Sequence, residues 1–122
     1  MIASCGISII DNRRIRQLRE QFGDRFLNRC FSYDEIEYSC TKKNWSEHLG
    51  ARFAAKCACF QALNWNNWRN YTQVVVYKNN LGAPGIEMKG ELNRALSELN
   101  IQRISISLTH STEYSIASVI FE

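Results

Sequence analysis

Residues 46–63, SEHLGARFAAKCACFQAL, decide the fold. Ser46 can supply an N-cap, and Leu49, Phe53, Cys57 and Phe60 recur at helical spacing after it. That spacing lays four apolar side chains along one stripe of a helix over 47–63. It is the longest helix the sequence supports, so the core is expected to form around it. The period then changes. Residues 72–77, TQVVVY, are mostly β-branched or aromatic, and Ile104, Ile106 and Leu108 alternate with Ser105 and Ser107. Alternation of that kind marks a half-buried strand.

On the N-terminal side, the opening residues read as a short strand. Asp11 or Asn12 can cap a helix over 12–22 that puts Ile15, Leu18 and Phe22 on one face, and Gly23-Asp24 breaks it. Ser32 and Glu35 have capping-box spacing, opening a helix through Ile36 that ends near Lys42-Lys43. On the C-terminal side, the Asn- and Trp-rich residues 64–70 read as a loop. Residues 79–85, NNLGAPG, read as a turn before a strand at 86–89. An amphipathic helix over 91–100 uses Leu92, Ala95, Leu96 and Leu99. Thr109-His110-Ser111 is expected to interrupt the next strand, and 114–121 closes the fold. Helices first and strands later predict an α+β class. At 122 residues, 1–122 is expected to be a single domain.

Composition excludes several classes. Hydrophobic residues are 45% and charged residues 22%, which is globular composition. No apolar run reaches the roughly 18 residues of a membrane span, and the N-terminal apolar stretch has its basic residues behind it, the wrong order for a secretory signal. Neither a membrane nor a nucleic-acid partner is expected, since a net charge of +3 is small and no nucleic-acid module is visible. The first 30 residues nonetheless hold Arg13, Arg14, Arg16, Arg19, Arg25 and Arg29. A basic segment suits an acidic protein helix or a phosphate-rich cofactor, and equally a solvated helix face. The five cysteines are odd in number and irregularly spaced, which reads as reduced thiols of a cytoplasmic protein; no structural zinc pattern is present.

Three segments then define a resemblance: Gly6-Ile7-Ser8-Ile9-Ile10, Ala51-Arg52-Phe53-Ala54-Ala55-Lys56-Cys57-Ala58, and Ser107-Leu108-Thr109-His110 followed by Tyr114 and Ala117. Phe26-Leu27, Phe31-Ser32, Glu35 and Gly82-Ala83-Pro84 fall between them in order. The whole chain resembles the holo-acyl-carrier-protein synthases, the small 4'-phosphopantetheinyl transferases. The resemblance implies their fold and a homotrimer with sites between subunits. It implies coenzyme A and an acyl carrier protein as partners, in fatty acid or polyketide biosynthesis. It also implies magnesium held by the Asp of a Gly-Xaa-Asp-Ile motif and the Glu of an Arg-Phe-Ala-Ala-Lys-Glu-Ala motif, with a Lys one turn on.

Here those three positions are Ser8, Cys57 and Gln61. Magnesium takes hard oxygen ligands, so a hydroxyl and a thiol are poor replacements for two carboxylates. Ordinary transfer is therefore expected to be lost, leaving a protein that binds a carrier or a coenzyme A-type ligand. An active transferase remains the alternative, with Asp11 or Glu47 as substitute metal ligands. A third possibility is an acyl-thioester enzyme using Cys57 as nucleophile and His110 as base. By resemblance, Lys42, Lys43, Arg52, Lys56, Gly82, Pro84, Thr109 and His110 are expected at coenzyme A, and Arg14, extended by Arg13 and Arg16, at the carrier. Bland readings stand beside these: Arg52 in a salt bridge, His110 as a structural strand-end histidine, and Cys57 as a buried hydrophobe. Trp45, Trp65 and Trp68 either pack or form an apolar wall.

Overall fold

The computed structural model describes residues 1–65 and 68–122, and of Trp68 only the backbone. Strand β1 (Ser4–Asp11) leads into helices α1 (Asn12–Phe22), α2 (Asp24–Cys30), α3 (Tyr33–Cys40) and α4 (Trp45–Leu63). A 3-10 helix (Trp68–Gln73) follows, then β2 (Val74–Lys78), β3 (Pro84–Met88), α5 (Gly90–Glu98), β4 (Ile104–His110) and β5 (Tyr114–Phe121). The class is α+β. An antiparallel sheet of order β1-β5-β4 stands beside a β2-β3 hairpin.

Several boundaries differ from the sequence reading, each for a local reason. Asn44 precedes α4, so Ser46 lies inside the helix, where its hydroxyl accepts from Arg16 Nη1 at 3.1 Å. The short helix α2 was not expected. Gly23 sits at φ +57°, a conformation open to glycine, and turns the chain sharply between two helices. Thr72 and Gln73 belong to the 3-10 turn rather than to β2. Strand β4 runs on through Thr109 and His110, because their partners Ile116 and Ser115 on β5 extend the ladder. Of the loop read over 64–70, residues 66 and 67 lie outside the described residues.

Helix α4 is the core element. Ala54, Ala55, Ala58 and Cys59 are buried against Ala117, Val119 and Phe121 of β5 and against Val74 and Val76 of β2. The small side chains let the strands come close. A Cβ at Gly6 would overlap the Ala58 carbonyl oxygen, so β1 can cross α4 only with glycine there. Trp45 packs against a second cluster built on Ile15, Phe26, Leu27 and Phe31, with the Arg19 guanidinium 4.4 Å from its ring centre. Trp65 packs on the main cluster and donates Nε1–H to Asn70 Oδ1 at 2.9 Å. Both take the packing role.

Lys56 was expected at coenzyme A; instead it is a core residue. It is 0% exposed. Its Nζ donates to Glu35 Oε1 at 2.9 Å, to the Tyr71 carbonyl at 2.9 Å and to the Val74 carbonyl. All three ammonium protons are thereby placed. Glu35 also completes the α3 capping box with Ser32 and accepts from Val76 N at 3.1 Å. One buried ion pair thus ties α3, α4 and the start of β2 together.

Candidate functional site

Arg52 projects from the middle of α4 into a groove of about 200 Å³ whose walls include His48, Lys78, Gly82, Pro84 and His110. A wider cleft of about 370 Å³ shares Arg52 and Lys78 and adds Tyr38 and Lys89. Arg52 is 5% exposed, and its Nη1 donates to the His48 carbonyl at 3.2 Å. Among the described residues its Nε has no hydrogen-bond partner. Among them Arg52 also makes no salt bridge, against one of the two sequence readings. Burial pulls its pKa below the usual arginine value. A buried guanidinium with an unused donor is costly unless something anionic completes it.

His110 ends β4 beside the first turn of α4. Its Nδ1 lies 3.0 Å from Glu47 Oε1, and its ring centre is 5.4 Å from that of His48. Burial, then the positive charge of Arg52, push the His48 pKa down to about 4, so His48 is neutral at physiological pH. Gly82 and Pro84 reach the groove from the β2-β3 turn. Thr109 does not. It alternates with His110 along β4 and lies on the opposite, exposed face of the sheet. Lys42 is half-buried over the Tyr38 ring, and Lys43 is exposed beyond the end of α3. Sequence reading missed Lys78 and Tyr38. Lys78 Nζ donates to Tyr38 Oη at 2.9 Å, and that bond lowers the Tyr38 pKa. A lysine at a strand end beside a Gly-Pro turn was the only available signal.

The expected metal position is chemically neutral. Burial, partly offset by hydrogen bonding to Tyr71 and Ser8, pushes the Cys57 thiol up to about 11, so it stays protonated near pH 7. Burial likewise pushes Tyr71 up to about 12. Gln61 Oε1 accepts from Ile7 N at 2.7 Å. A hydroxyl, a protonated thiol and an occupied amide do not fit magnesium. The substitutes are committed elsewhere: Asp11 pairs with Arg13 at 2.9 Å, and Glu47 with His110. Among the described residues no group of three or more His, Cys, Asp or Glu could hold a metal ion. The Cys57–His110 dyad does not form within a chain either. His110 contacts Glu47 and His48, whereas Cys57 lies nine residues beyond His48, about 13 Å along the helix axis at ~1.5 Å per residue.

The three arginines expected to meet a carrier do not form one patch. Arg13 is drawn onto Asp11, and Arg16 turns to Ser46. Arg14 is exposed and shares the face of Leu18 and Phe22 at i, i+4 and i+8. That face runs into a mostly apolar cavity of about 330 Å³ between α1, α2 and α4, lined by Leu18, Phe22, Phe26 and Phe53, with Arg25 and Arg29 among its lining residues.

Residues 4–119 match the 4'-phosphopantetheinyl transferase superfamily, and the chain belongs to it. Its relatives narrow this further. The holo-[acyl-carrier-protein] synthase of Halothermothrix orenii is 34% identical over 100% of this chain and 98% of its own length. That of Koribacter versatilis is 35% identical over 100% and 99%. The holo-[acyl-carrier-protein] synthase of Neisseria meningitidis superposes with a TM-score of 0.90 at 27% identity, covering 100% of this chain and 99% of that one. The Helicobacter pylori synthase in complex with coenzyme A gives 0.82 at 29% identity over 97% and 99%.

Proposed function

We propose that this chain binds coenzyme A in the Arg52 groove and transfers its 4'-phosphopantetheine arm to a serine of an acyl carrier protein. The observation that carries this is Arg52, buried, without a salt bridge among the described residues and with its Nε unsatisfied, at the centre of a groove lined by Lys78 and His110. Full-length similarity to holo-[acyl-carrier-protein] synthases supports the same reading. In the reaction the serine oxygen bonds to the phosphorus next to pantetheine, the bond to the other phosphate breaks, and 3',5'-ADP leaves while the serine gives up its proton. Arg52, Lys42 and Lys78 would hold the phosphates and offset the charge gathering on the departing nucleotide. His110, oriented by Glu47, is the group able to take up or return a proton. The carrier would dock along Arg14 and the apolar cavity, where an acidic helix finds arginines around an apolar hollow.

One observation favours a second reading, binding without transfer: the neutral cluster of Ser8, Cys57 and Gln61 where the resemblance calls for two carboxylates and an ammonium. Intact-mass analysis of carrier proteins incubated with coenzyme A, magnesium and this chain separates the two. A pantetheinylated carrier supports transfer; unmodified carrier in a stable complex supports binding alone.

A homotrimer is part of the proposal. The outer face of the three-stranded sheet carries Ile7 (66% exposed) and Ile9 (62% exposed), with Ile116 beside them. An apolar sheet face of this kind calls for cover by another chain. Thr109 lies on that same face and would then sit at a subunit boundary. A reducing, cytoplasmic setting is also proposed, in keeping with five free cysteines, and 1–122 is read as one domain.

A further inference from the structure

Three cations surround one aromatic ring at the edge of the Arg52 groove. The Lys42 ammonium is 4.4 Å, the Arg52 guanidinium 4.6 Å and the Lys78 ammonium 5.2 Å from the centre of the Tyr38 ring. They come from three places: the turn between α3 and α4, the middle of α4 and the end of β2. Three positive charges at this spacing repel one another. Asp34 and Glu87 line the adjoining cleft, yet among the described residues neither pairs with these cations, while Glu35, bound to Lys56, offsets part of the charge of Arg52. The phenol opposes the rest of the repulsion. Its ring face attracts cations, and its oxygen accepts from Lys78 at 2.9 Å. His48 packs edge-on to the ring at 5.7 Å and 86°, fixing its orientation, and being neutral adds no further charge.

We propose that Tyr38 is a positioning residue for the coenzyme A groove, gathering Lys42, Arg52 and Lys78 so that their charges converge on the ligand's phosphates before it arrives. The inference rests on the coenzyme A reading above. Without the ring, two long lysine side chains would disperse into solvent, and binding would have to order them again. Tyr38 itself need not touch the ligand.

The test is calorimetric titration of coenzyme A into the unaltered chain, Tyr38→Phe and Tyr38→Leu, with melting temperatures recorded for each. Tyr38→Phe keeps the ring and loses only what the hydroxyl gives Lys78 and Arg52, so affinity should stay within about threefold. Tyr38→Leu removes the ring and should weaken binding about tenfold or more with little change in melting temperature. Rescue by phenylalanine but not leucine is the signature of the ring's hold on the cations, which a packing role alone would not produce at constant stability. Unchanged affinity in Tyr38→Leu, where the unaltered chain binds, overturns the Tyr38 role and leaves the coenzyme A reading standing. Absence of binding by the unaltered chain overturns both.

Discussion

Replacing Lys56 should unfold the protein rather than empty its ligand site. Lys56→Met keeps the aliphatic stem and removes three hydrogen bonds at once, to Glu35, Tyr71 and Val74. It strands the Glu35 carboxylate in a site where both side chains are at most 1% exposed. Removing one partner of such a pair costs about 3–5 kcal/mol, much of it the isolated charge left behind. Against a total of about 5–15 kcal/mol for a domain, this is a large fraction. With a urea slope near 2 kcal/mol/M, the midpoint should fall by roughly 2 M. Lys56→Met/Glu35→Gln should recover part of the loss, because the neutral amide still accepts from Ser32 N or Val76 N without an unpaired charge. Equilibrium urea unfolding followed by circular dichroism checks both variants. A midpoint within about 0.3 M of the parent, together with lost coenzyme A binding, would refute the reasoning and return Lys56 to the groove.

Cys57 should resist alkylation. With its thiol near 11, roughly 0.03% is thiolate at pH 7.5, so iodoacetamide should label it only slowly, read by peptide mass mapping. Rapid labelling of Cys57 would revive the nucleophile reading. His48 should make stability rise between pH 4 and 6.5. There the unfolded state binds a proton that the folded state refuses, and the rise levels off to a plateau above 6.5; it should be on the order of 1 kcal/mol after allowance for partial exposure. His48→Gln should flatten that rise in urea midpoints measured across the range. Ile7→Asp places a charge on the outer sheet face and should convert an oligomer to monomer in light scattering. A monomeric parent would contradict the trimer.

Periodicity carried most of the architecture. The apolar stripe Leu49, Phe53, Phe60 located α4, and the alternation at 104–108 located β4, because both patterns reflect one-sided burial. Helix α2 was harder to see. Seven residues carry too few turns for a period, and what separates α2 from α1 is the backbone angle of Gly23. Strand β4 ran past its expected end because pairing with β5, a non-local event, overrides the turn preference of Thr109-His110-Ser111. At the site, motif order pointed to Arg52 and His110. It could not distinguish Lys56 from Arg52, since one helix carries both residues and only tertiary packing commits Lys56 to the core. Thr109 failed for the same kind of reason: adjacency in sequence puts neighbours on opposite faces of a strand. Tyr38 and Lys78 meet across 40 residues, a contact no local pattern announces.

The most direct measurement is the mass of an apo carrier protein after incubation with coenzyme A, magnesium and this chain, beside a Ser8→Asp/Cys57→Glu/Gln61→Lys variant. Transfer predicts a mass gain of one phosphopantetheine with the unaltered chain. No gain with the unaltered chain, but a gain with the triple variant, would contradict transfer and show a binding scaffold whose chemistry resides in three replaced side chains.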